Sequence, residues 1–252
     1  MTRLLVIPGA GAGTRLGAEQ PKPLVPVAGR PMIDWLLDLY RTLARRVILV
    51  VAPSAESSIR RHLDPHGDRV KIAIQPSPRG IVDALLAAAP LVEADEAERV
   101  WVTWADQIGV RPSTVARLAA VEEEERDADL VLPTIEVEAP YTCLERGADG
   151  RITGVRSRRE GDVLPERCET EIGVFSLSRR AYLDDLRLFA AEASPGPRTG
   201  ELNFLPFIAW LAARRRVVSF PCSEPIEAMG VNTPEELEAM AAVLRARLSS
   251  GC

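Results

Sequence analysis

The stretch from Val6 to Ile33 holds the residues whose types and spacing could do chemistry. Three glycines, Gly9, Gly11 and Gly13, alternate with alanines directly after a short apolar strand predicted over residues 4–7. Glycines let the backbone take positive φ and approach a ligand closely, so that successive amides can converge on an anion. A loop of this kind after a strand suits a triphosphate.

Two cations, Arg15 and Lys22, follow this loop. Lys22 lies between two prolines, in a chain that has 29 arginines and only two lysines. Because arginine supplies nearly all the other positive charge, the lysine at this position indicates a role other than general positive charge. An ammonium is a compact point charge that suits one phosphate oxygen at close range. The alternative is an ordinary surface connection, because glycine-rich loops and proline turns are common there.

Two well-known phosphate loops do not match. A dinucleotide-binding loop needs G-x-G-x-x-G, but Thr14 stands at the position of the third glycine when the count starts at Gly9. A P-loop needs Gly-Lys-Ser/Thr, and no lysine follows these glycines.

The stretch does resemble the signature of the sugar-phosphate nucleotidyltransferases, G-x-G-T-R-(L/M), P-K-x-L and G-x-P-(L/M)-(I/L), read here in residues 11–16, 21–24 and 29–33. The chain most resembles the uridylyltransferase domain of bacterial N-acetylglucosamine-1-phosphate uridylyltransferases, over nearly its whole length. The resemblance implies a three-layer, Rossmann-like α/β fold, with a mainly parallel mixed sheet and a β-rich insertion. It also implies transfer of a nucleotidyl group to a sugar 1-phosphate or a similar phosphate or phosphonate, with release of pyrophosphate.

The resemblance assigns roles within the loop. Arg15 would contact the β- and γ-phosphates, and Lys22 would bridge the α-phosphate and the acceptor phosphate. The triphosphate would be held by the backbone amides of Ala10, Gly11, Ala12, Gly13 and Thr14.

A magnesium site is expected from two further residues. Asp106 follows the apolar segment 100–105, so its carboxylate is expected at the carboxyl end of a strand, where Mg²⁺ could join carboxylate and phosphate oxygens. Asn232 lies in residues 227–233, which resemble the family's E-x-x-G-V-N-(N/T). Asn232 could instead merely precede the helix cap Thr233.

Base recognition is expected at Gln75 and Gly80. In the family, a glutamine at this point reads a pyrimidine edge through its amide, and the glycine lets the base lie flat. The threonine common after the glycine is Ile81 here. UTP or dTTP is therefore favoured over a purine triphosphate.

The expected acceptor pocket departs from the family. Thr142 falls near the position of the family's glycine that contacts the N-acetyl group, and Ser157 falls near the position of the glutamate that holds the sugar. Glu171 replaces the asparagine of the family's N-T-G motif, whereas Gly173 matches the glycine of that motif. These departures argue against N-acetylglucosamine 1-phosphate as the acceptor. Alternatives are a cytidylyltransferase for an alcohol phosphate, a molybdopterin guanylyltransferase, or a homologue that binds nucleotide without catalysis.

The elements that must position these residues follow from hydrophobic periodicity. Strands and helices alternate up to about residue 104, which predicts βαβ units and ligands at the carboxyl ends of the strands. The chain is β-rich from Asp129, and such an insertion could lay a second wall across the cleft. We expect one domain over residues 1–252, with a nucleotide half (1–128) and an acceptor half (129–252). Strands are predicted at 4–7, 46–51, 70–74, 100–104, 130–135, 142–145, 152–155, 172–177 and 217–220, and helices at 31–44, 55–63, 81–91, 183–191, 202–213 and 233–248.

Composition excludes several classes of protein. A net charge of −5 without a basic arm argues against nucleic acid as a partner. The four cysteines are widely spaced, which indicates neither a zinc site nor a disulfide framework. No signal peptide or apolar run long enough to cross a bilayer is recognised, so we expect a cytoplasmic protein. The acidic run from Glu122 to Glu125 is expected to be a solvated helix end.

Overall fold

The computed structural model describes residues 1–11, 16 and 20–249. Most of the helices and strands are short, as is usual for a domain of this size. In chain order they are β1 (Arg3–Pro8), β2 (Pro26–Val27), β3 (Arg30–Pro31), α1 (Met32–Leu39), β4 (Arg46–Val51), α2 (Glu56–Leu63), β5 (Val70–Ile74), α3 (Ile81–Glu93), β6 (Arg99–Thr103), α4 (Pro112–Glu124), β7 (Leu130–Glu138), β8 (Thr142–Arg146), β9 (Ile152–Ser157), β10 (Arg167–Glu171), β11 (Val174–Ser178), α5 (Leu186–Glu192), α6 (Leu205–Ala212), β12 (Val217–Pro221) and α7 (Pro234–Ser249).

One mixed sheet of eight strands crosses the molecule in the order β10-β7-β11-β6-β1-β4-β5, and β12 pairs with β7. The pairs β1–β4, β1–β6, β4–β5 and β7–β12 are parallel, whereas β11 runs antiparallel to both β6 and β7. The strands of the amino-terminal and carboxy-terminal halves therefore belong to the same sheet.

Helices cover both faces of this sheet. Alternate residues of β1 point to opposite sides, so that Leu5 packs in one apolar core and Leu4 in another. The first core includes side chains from α1, α2, α4 and α7, and the second includes side chains from α3, α5 and α6. The predicted three-layer fold with a mainly parallel mixed sheet is confirmed.

The strand predicted over residues 172–177 corresponds to β11 but begins two residues too early, and β10 was not predicted. A turn in which Gly173 has φ +72° separates the two strands. The sequence of β10, Arg-Cys-Glu-Thr-Glu, is too polar to be recognised as a strand by periodicity. Only the acidic end of helix α4 was recognised in the sequence, and the rest of the helix was not predicted. The helix predicted at 183–191 begins earlier, with a wider helical turn over Ala181–Asp185.

The prediction that the acidic run is solvated is wrong for Glu122. Its side chain is fully buried and accepts hydrogen bonds from Arg3 Nε, Trp101 Nε1 and Ser176 Oγ. Helix α4 packs on β7 and turns this carboxylate toward β6, so that a residue within a charged run lies inside the protein. Among the described residues, no helix is long and apolar enough to span a membrane.

Candidate functional site

Three of the predicted residues meet at the carboxyl edge of the sheet. Lys22 Nζ lies 2.5 Å from Asp106 Oδ2 and 2.9 Å from Asn232 Oδ1. The Lys22 and Asp106 side chains are only 15% and 13% exposed. Residues distant in the sequence therefore form one compact polar group.

Prolines fix the position of the lysine. Lys22 begins a single helical turn, Lys22–Leu24, which follows Pro21 and contains the buried Pro23. A side chain on Gly9 would come within 3.0 Å of Pro23 Cγ, so the first glycine of the loop packs directly against this turn. The glycine loop and the lysine are thus neighbours in space.

Asp106 and Asn232 are held together by the backbone around them. Asp106 lies just after β6, and its carbonyl oxygen accepts a hydrogen bond from Val231 N at 3.3 Å. A Cβ on Gly230 would lie 3.2 Å from both Asp106 Oδ2 and Asn232 Nδ2. A glycine at this position lets the two side chains approach each other.

The start of α7 orients Asn232. The Glu236 carboxylate accepts hydrogen bonds from Asn232 N at 2.7 Å and from Thr233 N at 3.0 Å, while Glu236 N donates to Thr233 Oγ1 at 3.2 Å. These contacts form a capping box, in which Thr233 is the N-cap residue that the sequence predicts. The cap and the role of Asn232 are therefore compatible, because its backbone serves the helix while its side chain faces Lys22.

The carboxylate and amide oxygens fit a magnesium ion. Both already accept hydrogen bonds from a single cationic group, the Lys22 ammonium, so they converge on one point. Mg²⁺ commonly takes one or two protein oxygens and completes its shell with water and phosphate. No cluster of three or more His, Cys, Asp or Glu side chains suited to a metal occurs in the described part of the chain.

The glycine loop is described in part. Gly9 N donates to Val50 O at 2.8 Å, and the described segment continues through Ala10 to Gly11. Ala12, Gly13, Thr14 and Arg15 lie outside the described residues.

The glutamine expected to read the base is held internally. Gln75 is 4% exposed, and its Nε2 lies 3.0 Å from both Gly80 O and Asp83 Oδ2. Gly80 has φ +114°, and a Cβ there would come within 2.5 Å of Leu202 O. Glycine at this position is therefore required by the contact with residue 202, whatever base lies nearby.

The predicted acceptor residues all line one cleft beside this polar group. The cleft has a volume of about 1370 Å³. Pockets that hold one drug-sized ligand usually measure roughly 300–1,000 Å³, so this cleft is larger than the usual site for a single ligand. Its lining includes Asp106, Asn232, Thr142, Ser157, Glu171 and Gly173.

Glu171 is the most unusual of these residues. It is 8% exposed, its carboxylate accepts a hydrogen bond from Gly173 N, and its Oε1 lies 3.4 Å from Thr142 Oγ1. Burial raises the pKa of Glu171 to about 7, and the negative charge of Asp106 acts in the same direction, whereas the two hydrogen bonds oppose the rise.

Two contributors to the cleft were not identified from the sequence. Trp104, two residues before Asp106, packs on Gly173 and against Phe204 with ring centroids 5.7 Å apart. Glu160 accepts hydrogen bonds from Thr199 Oγ1 at 2.5 Å and Asn203 Nδ2 at 2.7 Å. These hydrogen bonds lower the pKa of Glu160 to about 2 against an opposing effect of burial. The position of Trp104 at the end of a strand could have indicated that it lines the cleft, whereas no sequence signal indicated this for Glu160.

The expectation of no disulfide is wrong. Cys143 on β8 and Cys168 on β10 are joined by a disulfide, with their Cα atoms 5.9 Å apart. The two cysteines are 25 positions apart, and the β8–β9 hairpin and its return between them bring the two strands side by side. Wide spacing in sequence gave no sign of this contact.

Comparison with known proteins agrees with the resemblance seen in the sequence. The family described as "MobA-like NTP transferase domain" matches residues 5–194. The bifunctional protein GlmU of Sorangium cellulosum is 28% identical over 97% of this chain and 52% of its own length. That of Pelobacter propionicus is 30% identical, with 97% and 52% covered. The chain thus spans about half the length of these curated relatives.

Solved structures share the fold. A Bacillus anthracis protein assigned as a glucose-1-phosphate thymidylyltransferase, in complex with sucrose, has a TM-score of 0.77 at 17% identity, over 97% of this chain and 96% of that one. A CMP:2-keto-3-deoxy-manno-octonic acid synthetase in complex with CTP has a TM-score of 0.70 at 16% identity, over 98% and 100% of the two chains. The family match over residues 5–194 confirms the predicted membership in the nucleotidyltransferases, and the solved structures agree in fold.

Proposed function

Because the chain belongs to the MobA-like NTP transferase domain family, we propose that it transfers a nucleotidyl group from a nucleoside triphosphate, UTP or dTTP, to a sugar 1-phosphate or a similar phosphate or phosphonate. Pyrophosphate is the second product. The convergence of Lys22, Asp106 and Asn232 on one point at the strand ends carries this proposal.

The chemistry needs no general base. The acceptor phosphate is already anionic near neutral pH and attacks the α-phosphorus in line, so catalysis consists of positioning and charge neutralisation. Bound Mg²⁺, held by Asp106 and Asn232, would neutralise charge on the α-phosphate.

Lys22 would exchange its contacts with Asp106 and Asn232 for oxygens of the α-phosphate and the acceptor phosphate. Two observations support this role. The turn that carries Lys22 packs against Gly9 through Pro23, and the Lys22 ammonium contacts Asp106 and Asn232 in the lining of the cleft. We assign Arg15 to the β- and γ-phosphates, and the backbone from Ala10 to Thr14 to the triphosphate, on the family resemblance alone.

The two halves of the chain would divide the substrates between them. Within a single domain, residues 1–128 would hold the nucleotide, and residues 129–252 would hold the acceptor. The position of Thr142, Ser157, Glu171 and Gly173 in the lining of the same cleft as Asp106 supports this division.

Cytidylyl transfer is the second candidate. The amide nitrogen of Gln75 is already bonded to Gly80 O and Asp83, so only its oxygen can bind a base. An acceptor oxygen can pair with N3–H of uracil or thymine, or with the exocyclic amine of cytosine. Gln75 therefore does not distinguish among the three pyrimidines, and the preference for a pyrimidine over a purine rests on the family resemblance.

The experiment is pyrophosphate release with Mg²⁺, the common nucleoside triphosphates including dTTP, and a panel of sugar 1-phosphates and phosphonates. Each triphosphate is also incubated without acceptor. Release that requires one pyrimidine triphosphate and one acceptor supports the proposal. Triphosphate binding without release from any pair would instead indicate a nucleotide-binding homologue without catalysis.

A further inference from the structure

Glu171 is a buried carboxylate in the wall of the substrate cleft without a cation of its own. Its side chain forms no ion pair among the described residues. Three arginines line the cleft, and none of them lies within ion-pair distance of Glu171. Arg159 and Arg167 are bound to other carboxylates, with N–O distances of 2.7 Å to Glu201 and 3.0 Å to Glu136. Burying a carboxylate without a counter-charge is costly, so a site of this kind favours a ligand that supplies the charge.

The carboxylate retains hydrogen-bonding capacity. Two carboxylate oxygens offer about four lone-pair positions. The interactions found for Glu171 are the Gly173 amide and the long contact to Thr142 Oγ1 at 3.4 Å. Thr142 Oγ1 in turn lies 2.6 Å from Thr170 Oγ1, so the pair of hydroxyls can adjust to a ligand that donates hydrogen bonds.

The surroundings suit an organic cation. Trp104 and Glu171 flank the same glycine, because the Trp104 indole packs on Gly173 and the Gly173 amide binds the Glu171 carboxylate. An aromatic ring beside a carboxylate favours an ammonium group with carbon substituents. The lining of the cleft as a whole includes seven carboxylate side chains against three arginines.

We propose that the acceptor carries an ammonium group as well as its phosphate or phosphonate, and that Glu171 and Thr142 bind this ammonium in the cleft. This inference rests on the proposed function, since the anionic end of the acceptor must reach Lys22 and the magnesium ligands. An aminated phosphonate and an amino sugar 1-phosphate share this chemistry, and the experiment separates them.

The test compares matched ligands by calorimetry on the full chain in the presence of Mg²⁺ and a non-reactive nucleotide. The nucleotides are analogues of UTP, dTTP and CTP that have a methylene bridge between the α- and β-phosphorus. The first pair is 2-aminoethylphosphonate and propylphosphonate, and the second is glucosamine 1-phosphate and glucose 1-phosphate. A hydrogen bond to a charged group corresponds to about 10- to 100-fold in affinity. We expect the aminated member of one pair to bind tighter by about this factor.

Glu171→Gln should abolish the preference, so that the two members of the pair bind with equal affinity. Glu166→Gln, at an exposed glutamate just before β10, is the control and should keep the preference. Equal binding of both members of each pair by the wild type would overturn the inference, as would a preference that survives Glu171→Gln or a failure of both aminated ligands to bind.

Pyrophosphate release, measured in parallel, separates this inference from the proposed function. Turnover with neutral sugar phosphates and no preference for amines would overturn the ammonium site and leave the transferase intact. A preference for amines in binding, without release from any pair, would support the site and overturn the transferase.

Discussion

Lys22 Nζ lies 2.5 Å from Asp106 Oδ2, although 84 residues separate them in the chain. A lysine and an aspartate that pair in this way at the carboxyl edge of a parallel sheet are placed to receive a phosphate and the cation that accompanies it.

Lys22→Ala should lower the turnover number by ~10²–10³, the usual cost of removing one group that stabilises charge in the transition state. The measurement is steady-state pyrophosphate release with the substrates identified by the panel. Lys71→Ala is the matched control, because Lys71 is the chain's other lysine and is exposed on β5, and it should retain normal turnover. Near-normal turnover of Lys22→Ala would contradict the assignment.

Asp106→Asn should weaken magnesium activation. Removing one of two protein ligands should raise the Mg²⁺ concentration for half-maximal rate on the order of 10- to 100-fold. Loss of a residue that only hydrogen-bonds to a metal ligand typically lowers metal affinity by this factor, so loss of a ligand itself should have at least as large an effect. Magnesium titrations of the rate test this, with Asp149→Asn at the exposed turn after β8 as the control. An unchanged magnesium dependence would remove Asp106 from the metal site.

Stability should fall as pH rises through the pKa of Glu171. Because the pKa in the folded protein is about 7 and the ordinary value is 4.5, the folded state holds the proton more tightly. The stabilisation is therefore fully present below about pH 4.5 and is lost as pH approaches and passes 7, to a total of up to about 3 kcal/mol. Urea unfolding of the ligand-free protein between pH 4.5 and 8 measures this loss.

Glu171→Gln cannot ionise and should flatten this part of the pH profile. If the variant and the wild type lost stability in parallel over the same range, the titrating group would have to be another residue.

Glu122→Ala should destabilise the fold strongly. The substitution would leave Arg3 and Arg99 without their shared carboxylate and would open space beside Trp101, and breaking a buried ion pair costs about 3–5 kcal/mol. Glu124→Ala, whose side chain is 60% exposed on the same helix, should change the free energy of unfolding by less than about 0.5 kcal/mol. Equal effects of the two substitutions would contradict the burial of Glu122.

The sequence by itself determined the alternating α/β architecture and the residues of the transferase signature. Buried parallel strands read as continuous apolar runs, so Val47–Val51 and Val100–Val102 were recognisable without a structure. The cap at Thr233 and Glu236 was equally local, since it involves residues three apart.

Only the tertiary structure decided the contacts between distant segments. The meeting of Lys22 with Asn232, the disulfide between Cys143 and Cys168, and the burial of Glu122 each depend on how elements far apart in the chain pack together. Periodicity shows that a residue lies on a strand or helix, but a polar residue such as Glu171 looks solvent-exposed in sequence. Its burial follows from β10 pairing with β7 beneath the β8–β9 hairpin, which no local pattern encodes.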